Sequence, residues 1–213
     1  AEPARRALTG RELLRKLVHM SVGLFAFLVV FLGPFYSALA ALAALSMNLF
    51  ILPRVGGKVL WRESEEKRGL SIGILLYPAA VLALILLFWN RLEVACGVWG
   101  ILAFGDGMAS LVGMALGGPK LPWNPRKSWS GTFAYWLFGT AGAAALLWWT
   151  LSRAGEPHVL PYLIVAAAVT ALVGALIESQ PIALDDNVSV PFLAALVLVG
   201  MLDSQAYWQS VDW

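Results

Sequence analysis

Seven long apolar runs constrain this chain more than any other feature: Leu17 to Gly33, Phe35 to Leu52, Leu70 to Trp89, Leu92 to Leu116, Thr132 to Leu151, Val159 to Ile177 and Val188 to Leu202. Most approach or exceed the ~20 residues that carry a helix across a hydrocarbon core. Inside lipid, a backbone that satisfies its own polar groups within one segment is helical. The sequence therefore predicts an all-α, polytopic integral membrane protein with about seven transmembrane helices, forming a single transmembrane domain over residues 1–213. The last run is short, and reads either as a re-entrant element or as a span continuing through Tyr207 and Trp208. Composition agrees: 60% of residues are hydrophobic and 13% charged, with a mean hydropathy of +0.75, outside the range of ordinary soluble domains.

Of the 15 Lys and Arg residues, all but Arg91 and Arg153 precede the first run or lie between the second and third or the fourth and fifth. The positive-inside rule makes that side cytoplasmic, with the N-terminus in and the C-terminus out. The expected location is a prokaryotic cytoplasmic membrane, with the polar chemistry on its cytoplasmic face. Trp61, Trp89, Trp148, Trp149 and Trp208 fall near run ends, as interfacial anchors do. Ser37-Ala38-Leu39-Ala40 matches a signal-peptidase site, but Ala-rich second spans produce such matches readily.

Cys96 is the one cysteine, which excludes an intrachain disulfide and a cysteine-based metal cluster. His19 and His158 are too far apart for a helical zinc site. The net charge of +2 comes from residues flanking runs, not from one basic face, so nucleic acid is not an expected partner. The acidic and basic residues of 62–68 read as a solvated charged segment. No internal repeat is evident, and oligomeric state is not legible.

Three polar sites interrupt the oil. Gly105-Asp106-Gly107 breaks the fourth run. A carboxylate at bilayer depth costs a few kcal/mol on insertion scales, so Asp106 is expected to face a partner, a metal or a substrate. Ala109, Gly113 and Gly117 form a small-residue stripe that reads as close helix packing. The loop Gly117 to Thr132 carries Lys120, Asn124, Arg126, Lys127 and Ser128 among three prolines, with Ser130 a possible N-cap for the next helix. Cations and free amides at a helix start suit a polyphosphate; a positive-inside anchor with a turn is the alternative. Neither Gly57-Lys58-Val59 nor Arg126-Lys127-Ser128 matches a P-loop. The third site runs from Glu178 to Asn187. Its adjacent Asp185 and Asp186 repel unless a cation lies beside them, and such oxygen ligands suit Mg²⁺; the alternative is a solvated acidic turn.

Taken in order, Arg15-Lys16-Leu17-Val18-His19, Gly105-Asp106-Gly107 with Gly113, Leu121 to Gly131 (LPWNPRKSWSG), Glu178-Ser179 and Asp185 to Pro191 (DDNVSVP) resemble the polyprenol kinases. That family includes dolichol, phytol and farnesol kinases and the CTP-dependent diacylglycerol kinase of yeast type. The resemblance implies a membrane enzyme, one catalytic domain, that moves the γ-phosphoryl of CTP onto a lipid alcohol with a divalent metal. It implies that Lys120, Asn124, Arg126, Lys127, Ser128 and Gly131 hold the nucleotide. Asp185, Asp186 and Asn187 would hold Mg²⁺, while Asp106 would either join them or accept the alcohol proton. Glu178 is the rival base. His19 is a further catalytic candidate or an interfacial residue, and Lys127 a catalytic cation. Arg15 and Lys16 read as anchors first, and Tyr77-Pro78 as a kink.

The alternative enzyme is the related CDP-diacylglycerol synthase, whose further C-terminal run rich in Gly, His and Asp is not found here. A small transporter with Asp106 in its pathway is the alternative from another class; the gathering of polar groups on one side and the lack of an inverted repeat speak against it.

Overall fold

The computed structural model describes residues 9–55, 71–182 and 184–210. The basic and acidic residues of 58–68, with Trp61, and the N-terminal Arg5 and Arg6 lie outside the described residues, as does the side chain of Trp208.

Thr9 caps the first helix, α1 (Gly10–Gly23), by accepting from the Glu12 N–H at 3.3 Å. A 3₁₀ turn over Leu24–Leu28 leads into α2 (Val29–Ser46), and a π-helical turn over Met47–Ile51 closes this region. Gly33 lies inside α2 at φ 68°, ψ 175°, a conformation that side chains resist, and Pro34 follows it. The chain turns back there. Tyr77 donates from its hydroxyl to the His19 carbonyl at 3.4 Å, and Asn48 donates to the Ile74 carbonyl at 3.1 Å. Ile74 and Tyr77 lie about one turn apart on α3 (Ile72–Leu87), so His19 and Asn48 share a depth, on opposite sides of Gly33. The Ile74 carbonyl is available because Pro78, four residues on, has no N–H to offer it.

The fourth apolar run is one bent element: α4 (Leu92–Gly100), a π-helical stretch Ile101–Asp106, then α5 (Gly107–Ala115). It lies antiparallel to α6 (Trp129–Ala154) with the two backbones in near contact. A Cβ on Gly100 would meet the Gly142 carbonyl carbon at 2.8 Å; one on Gly139 would lie 3.6 Å from the Gly105 Cα; one on Gly131 would meet the Ala109 carbonyl oxygen at 2.9 Å and the Gly113 Cα at 3.4 Å. Small residues that let backbones approach are how helices associate in lipid, where apolar side chains gain little by leaving the bilayer. The stripe expected at Ala109 and Gly113 is therefore packing.

Between α5 and α6 the chain forms a short antiparallel hairpin, β1 (Lys120–Leu121) and β2 (Asn124–Ser128), pairing Lys120 with Ser128 and Leu121 with Asn124. α7 (Leu160–Glu178) and α8 (Asp186–Ser210) complete the bundle. Among the described residues, helix occupies all seven apolar runs, and the fold is all-α apart from this hairpin. Four stretches among the described residues are long and apolar enough to cross a membrane: Gly10–Ile51, Leu92–Ala115, Leu160–Glu178 and Asp186–Ser204.

The far end is tied by Arg91, whose guanidinium reaches Glu93 at 3.0 Å and Asp203 at 2.8 Å. Arg153 lies there too, stacked over Phe31 and Trp149. Trp149 donates to the Phe27 carbonyl at 2.9 Å, so it locks α6 to the first span, whereas Trp89 and Trp148 are exposed. Cys96 is buried against the Ala26 carbonyl.

Candidate active site

The charged residues that the sequence leaves in apolar surroundings converge at the end of the bundle opposite Arg91. Asp106 is carried by the π-helical stretch, a distortion that often marks functional positions. Its Oδ2 accepts from the Lys16 Nζ at 2.6 Å and lies 3.6 Å from the His19 Nε2. Lys16 is buried, and it is an ion-pair partner across the bundle instead of the expected flanking anchor. Lys16 and His19 sit three apart on α1, which puts both on one face. The His19 ring donates from Nε2 to the Leu102 carbonyl at 3.0 Å and stacks 4.0 Å from the Tyr77 ring. Tyr77 in turn accepts from the Trp99 indole at 2.9 Å. Tyr77 thus brackets α1 against the distorted stretch.

The basic loop is held by the end of α7. Trp123 donates to the Ser179 hydroxyl at 3.2 Å, and the Asn124 amide donates to the Ser179 carbonyl at 3.0 Å. The Asn124 side-chain oxygen accepts from the Arg126 N–H at 3.2 Å, so both ends of this buried amide are used inside the protein. Ser128, not Ser130, caps α6, accepting from the Gly131 N–H at 3.2 Å, because the strand runs through Ser128. Ser130 instead donates to the Gly117 carbonyl. Lys120 and Arg126 are exposed on the hairpin, with no ion pair among the described residues.

Lys127 stands at the centre. Its ammonium bonds Glu178 and lies 3.5 Å from the Asp186 Oδ2. Burial pulls this lysine toward its neutral form, but Glu178 and Asp186 outweigh that and hold its ammonium above the ordinary value. Glu178 needs that partner: it is buried at the C-terminal, partially negative end of α7. Asp186 is more open, with 39% of its side chain exposed, and opens α8 at the end that favours an acid.

Asp185 and Asn187 are occupied with each other. The Asp185 Oδ1 accepts from both the backbone N–H and the side-chain amide of Asn187 at 2.9 Å, the arrangement of a helix cap. Among the described residues, no group of three or more His, Cys, Asp or Glu stands where it could hold a metal. The structure thus gathers Asp106, Lys127, Glu178 and Asp186, with His19 and Lys16 behind Asp106. It does not draw Asp185 and Asn187 into that cluster, nor Asn124, Ser128 and Gly131 onto an open surface.

Tyr135 is the residue that sequence reasoning missed. It is fully buried, and its ring lies 3.0 Å from where a Cβ on Gly105, next to Asp106 in sequence, would stand and 3.3 Å from one on Gly174, one turn before Glu178. Its hydroxyl has no hydrogen-bond partner among the described residues. A tyrosine in an aromatic-rich span carries no signal that separates it from ordinary packing.

Comparison with known proteins decides the family. A probable phytol kinase 3 of Glycine max is 32% identical over 92% of this chain and 65% of its own length. A probable phytol kinase 2 of Oryza sativa subsp. japonica is 32% identical over 92% of this chain and 68% of its own. A farnesol kinase of Arabidopsis thaliana is 29% identical over 92% of this chain and 67% of its own. The chain belongs to the polyprenol kinase family, with the phytol and farnesol kinases. It spans about two thirds of the length of these relatives. No family model matches it, and no solved structure does. The relatives are named as chloroplastic plant enzymes, which overturns the prokaryotic cytoplasmic membrane expected from charge placement. The positive-inside rule ranks the two sides of a membrane; it does not say which membrane is crossed.

Proposed function

We propose that this polyprenol kinase family member phosphorylates an isoprenoid alcohol of the phytol or farnesol type in a plastid membrane, taking the γ-phosphoryl of CTP and releasing CDP. The observation that carries the reading is Lys127, held between Glu178 and Asp186 where two exposed cations, Lys120 and Arg126, flank it on the hairpin. The names of the relatives supply the alcohol class, and the motif resemblance supplies CTP.

Phosphoryl transfer asks a protein for positioning and charge neutralisation more than for covalent chemistry. Lys120 and Arg126 draw in the nucleotide phosphates, and Lys127 exchanges a carboxylate oxygen for a phosphate oxygen. The alcohol oxygen attacks the γ-phosphorus, the bond from that phosphorus to the β-bridging oxygen breaks, and CDP leaves. Glu178, released as Lys127 turns to phosphate, accepts the hydroxyl proton. Asp106 is less suited to that task because Lys16 and His19 already engage its carboxylate. Mg²⁺ commonly uses one or two carboxylates plus substrate phosphates rather than a protein cage. Asp186, open and at the cluster's edge, fits that role, with Asp106 the second candidate; the ion would neutralise charge on the β- and γ-phosphates.

The test is label transfer in purified protein supplied with phytol, farnesol or diacylglycerol. Label from γ-labelled CTP should enter the lipid, and label from α-labelled CTP should not. The reverse pattern with phosphatidate as acceptor would indicate a cytidylyltransferase and overturn the kinase. Diacylglycerol as the preferred acceptor would overturn the isoprenoid assignment, and a strong preference for ATP would overturn the donor.

A further inference from the structure

A groove of about 520 Å³ runs between α3 and α8. Leu76, Ala83 and Leu87 line one wall, and Pro191, Ala195 and Leu196 the other. Asn187 is the one polar residue among its lining residues, and it lies at the head, adjacent in sequence to Asp186. We infer that this groove is the slot for the single isoprenoid tail of the substrate, with the hydroxyl seated at Asn187 beside the Lys127 cluster. The inference rests on the kinase reading for what the hydroxyl meets, and on the groove itself for the tail.

Four observations commit the groove to that occupant. Its walls are apolar throughout, so a polar ligand gains nothing by entering. Its head lies at Asn187, the residue after Asp186, whose carboxylate lies 3.5 Å from the Lys127 ammonium. Pro191 has no N–H, so the Asn187 carbonyl lacks its i+4 helical donor and offers an acceptor to a hydroxyl at the mouth. The Asn187 amide hydrogen-bonds Asp185, which fixes that residue in place. Leu76 to Leu87 spans about 16 Å of helix, roughly half of a ~30 Å hydrocarbon core, and Ala79, Ala80, Ala83 and Ala195 leave shallow recesses that methyl branches can fill.

The experiment uses the purified full chain in nanodiscs with a farnesol analogue carrying a diazirine at the end of its tail. Adducts should map to the deep end of the groove, on the buried lining residues Leu84 and Ala195, and should be competed away by unlabelled phytol or farnesol. Ala83→Trp should cut those adducts and raise the KM for phytol about ten-fold, while kcat on the short alcohol prenol stays within about two-fold. Ala195→Leu provides a second, milder block if the tryptophan variant fails to insert. Adducts confined to lipid-facing positions such as Phe35 and Phe133, or labelling that only phospholipid competes, would overturn the slot. Product formation with such misplaced adducts would leave the kinase standing without the slot. Groove adducts without phosphorylation of any alcohol would support the slot and remove the kinase.

Discussion

Lys16 and Asp106, 90 residues apart in sequence, meet at 2.6 Å and join the first helix to the distorted stretch between α4 and α5. Lys16 is buried, so the pair is a structural commitment as well as a source of charge. Removing one partner of such a pair leaves the other unpaired in a poorly solvating site, which commonly costs about 3 kcal/mol or more when burial is complete. Asp106 keeps 25% of its side chain exposed, so the lower end of that range applies.

Lys16→Met and Asp106→Leu are therefore expected to lower thermal stability in detergent individually. Combined, they should recover much of the lost stability without restoring turnover. A double-mutant cycle of unfolding midpoints checks this. Additive losses would show that the two residues do not act as a pair.

Lys127→Ala should lower kcat by about 10²-fold or more, the usual cost of deleting an electrostatic partner of a transferring group. The protein should still insert, with a lowered melting temperature because the buried Glu178 carboxylate loses its partner. Single-turnover rates against expression and melting curves separate the two effects.

Lys127 also sets an expectation for pH. Its ammonium is held above the ordinary lysine value of 10.5, so its contribution to stability is fully present below that pH. That contribution is lost only as pH rises through the higher folded-state value. Activity between pH 7 and 9 should show no alkaline loss that Lys127→Arg shifts. A limb in that window that does move in the variant would contradict the arrangement.

Asp186→Asn should raise the Mg²⁺ concentration needed for half-maximal rate, with partial recovery at high Mg²⁺. Asp185→Ala should instead act on the start of α8, lowering stability by about 1 kcal/mol with little change in metal dependence. Mg²⁺ titrations of both variants, with melting curves, distinguish ligand from cap.

Gly131→Ala should destabilise by about 1–3 kcal/mol, because its methyl would meet the Ala109 carbonyl oxygen at 2.9 Å, a backbone atom that cannot swing aside. Gly10→Ala, with nothing within 4 Å, serves as the control.

The membrane class and the charged cluster of the candidate site were legible because lipid makes charge expensive. Asp106, Lys127, Glu178 and Asp186 stood out as acids and a base in an apolar chain, and such groups find one another when helices pack. The partners were harder to read. Lys16 follows Arg15 beside the first span, where local reasoning assigns it to the interface; only the tertiary approach of α1 to the π-helical stretch reveals its role. Adjacent Asp185 and Asp186 read as a matched pair of metal ligands, yet one turns inward to cap α8 while the other faces Lys127. Asn124 offers the groups that bind a phosphate and spends them on Ser179 and Arg126. Cys96, a natural reporter of topology by sequence, is buried in the core, so Arg91→Cys and Lys120→Cys are the better pair of accessibility probes.

The backbone contact along α4, α5 and α6 has a mechanical meaning. Two helices that touch through Gly100, Gly113, Gly131 and Gly142 meet backbone to backbone at these positions, with Leu147, Tyr135 and Phe104 packed into the glycine gaps between. Sliding or parting them would break each of these close contacts. That seam is the stationary frame of the protein, carrying Asp106 on one rail and the start of the hairpin's following helix on the other. Any adjustment that admits and releases a lipid must then be taken up by α3 and α8, which line the groove, because Lys16 and Trp149 tie the first span to that frame.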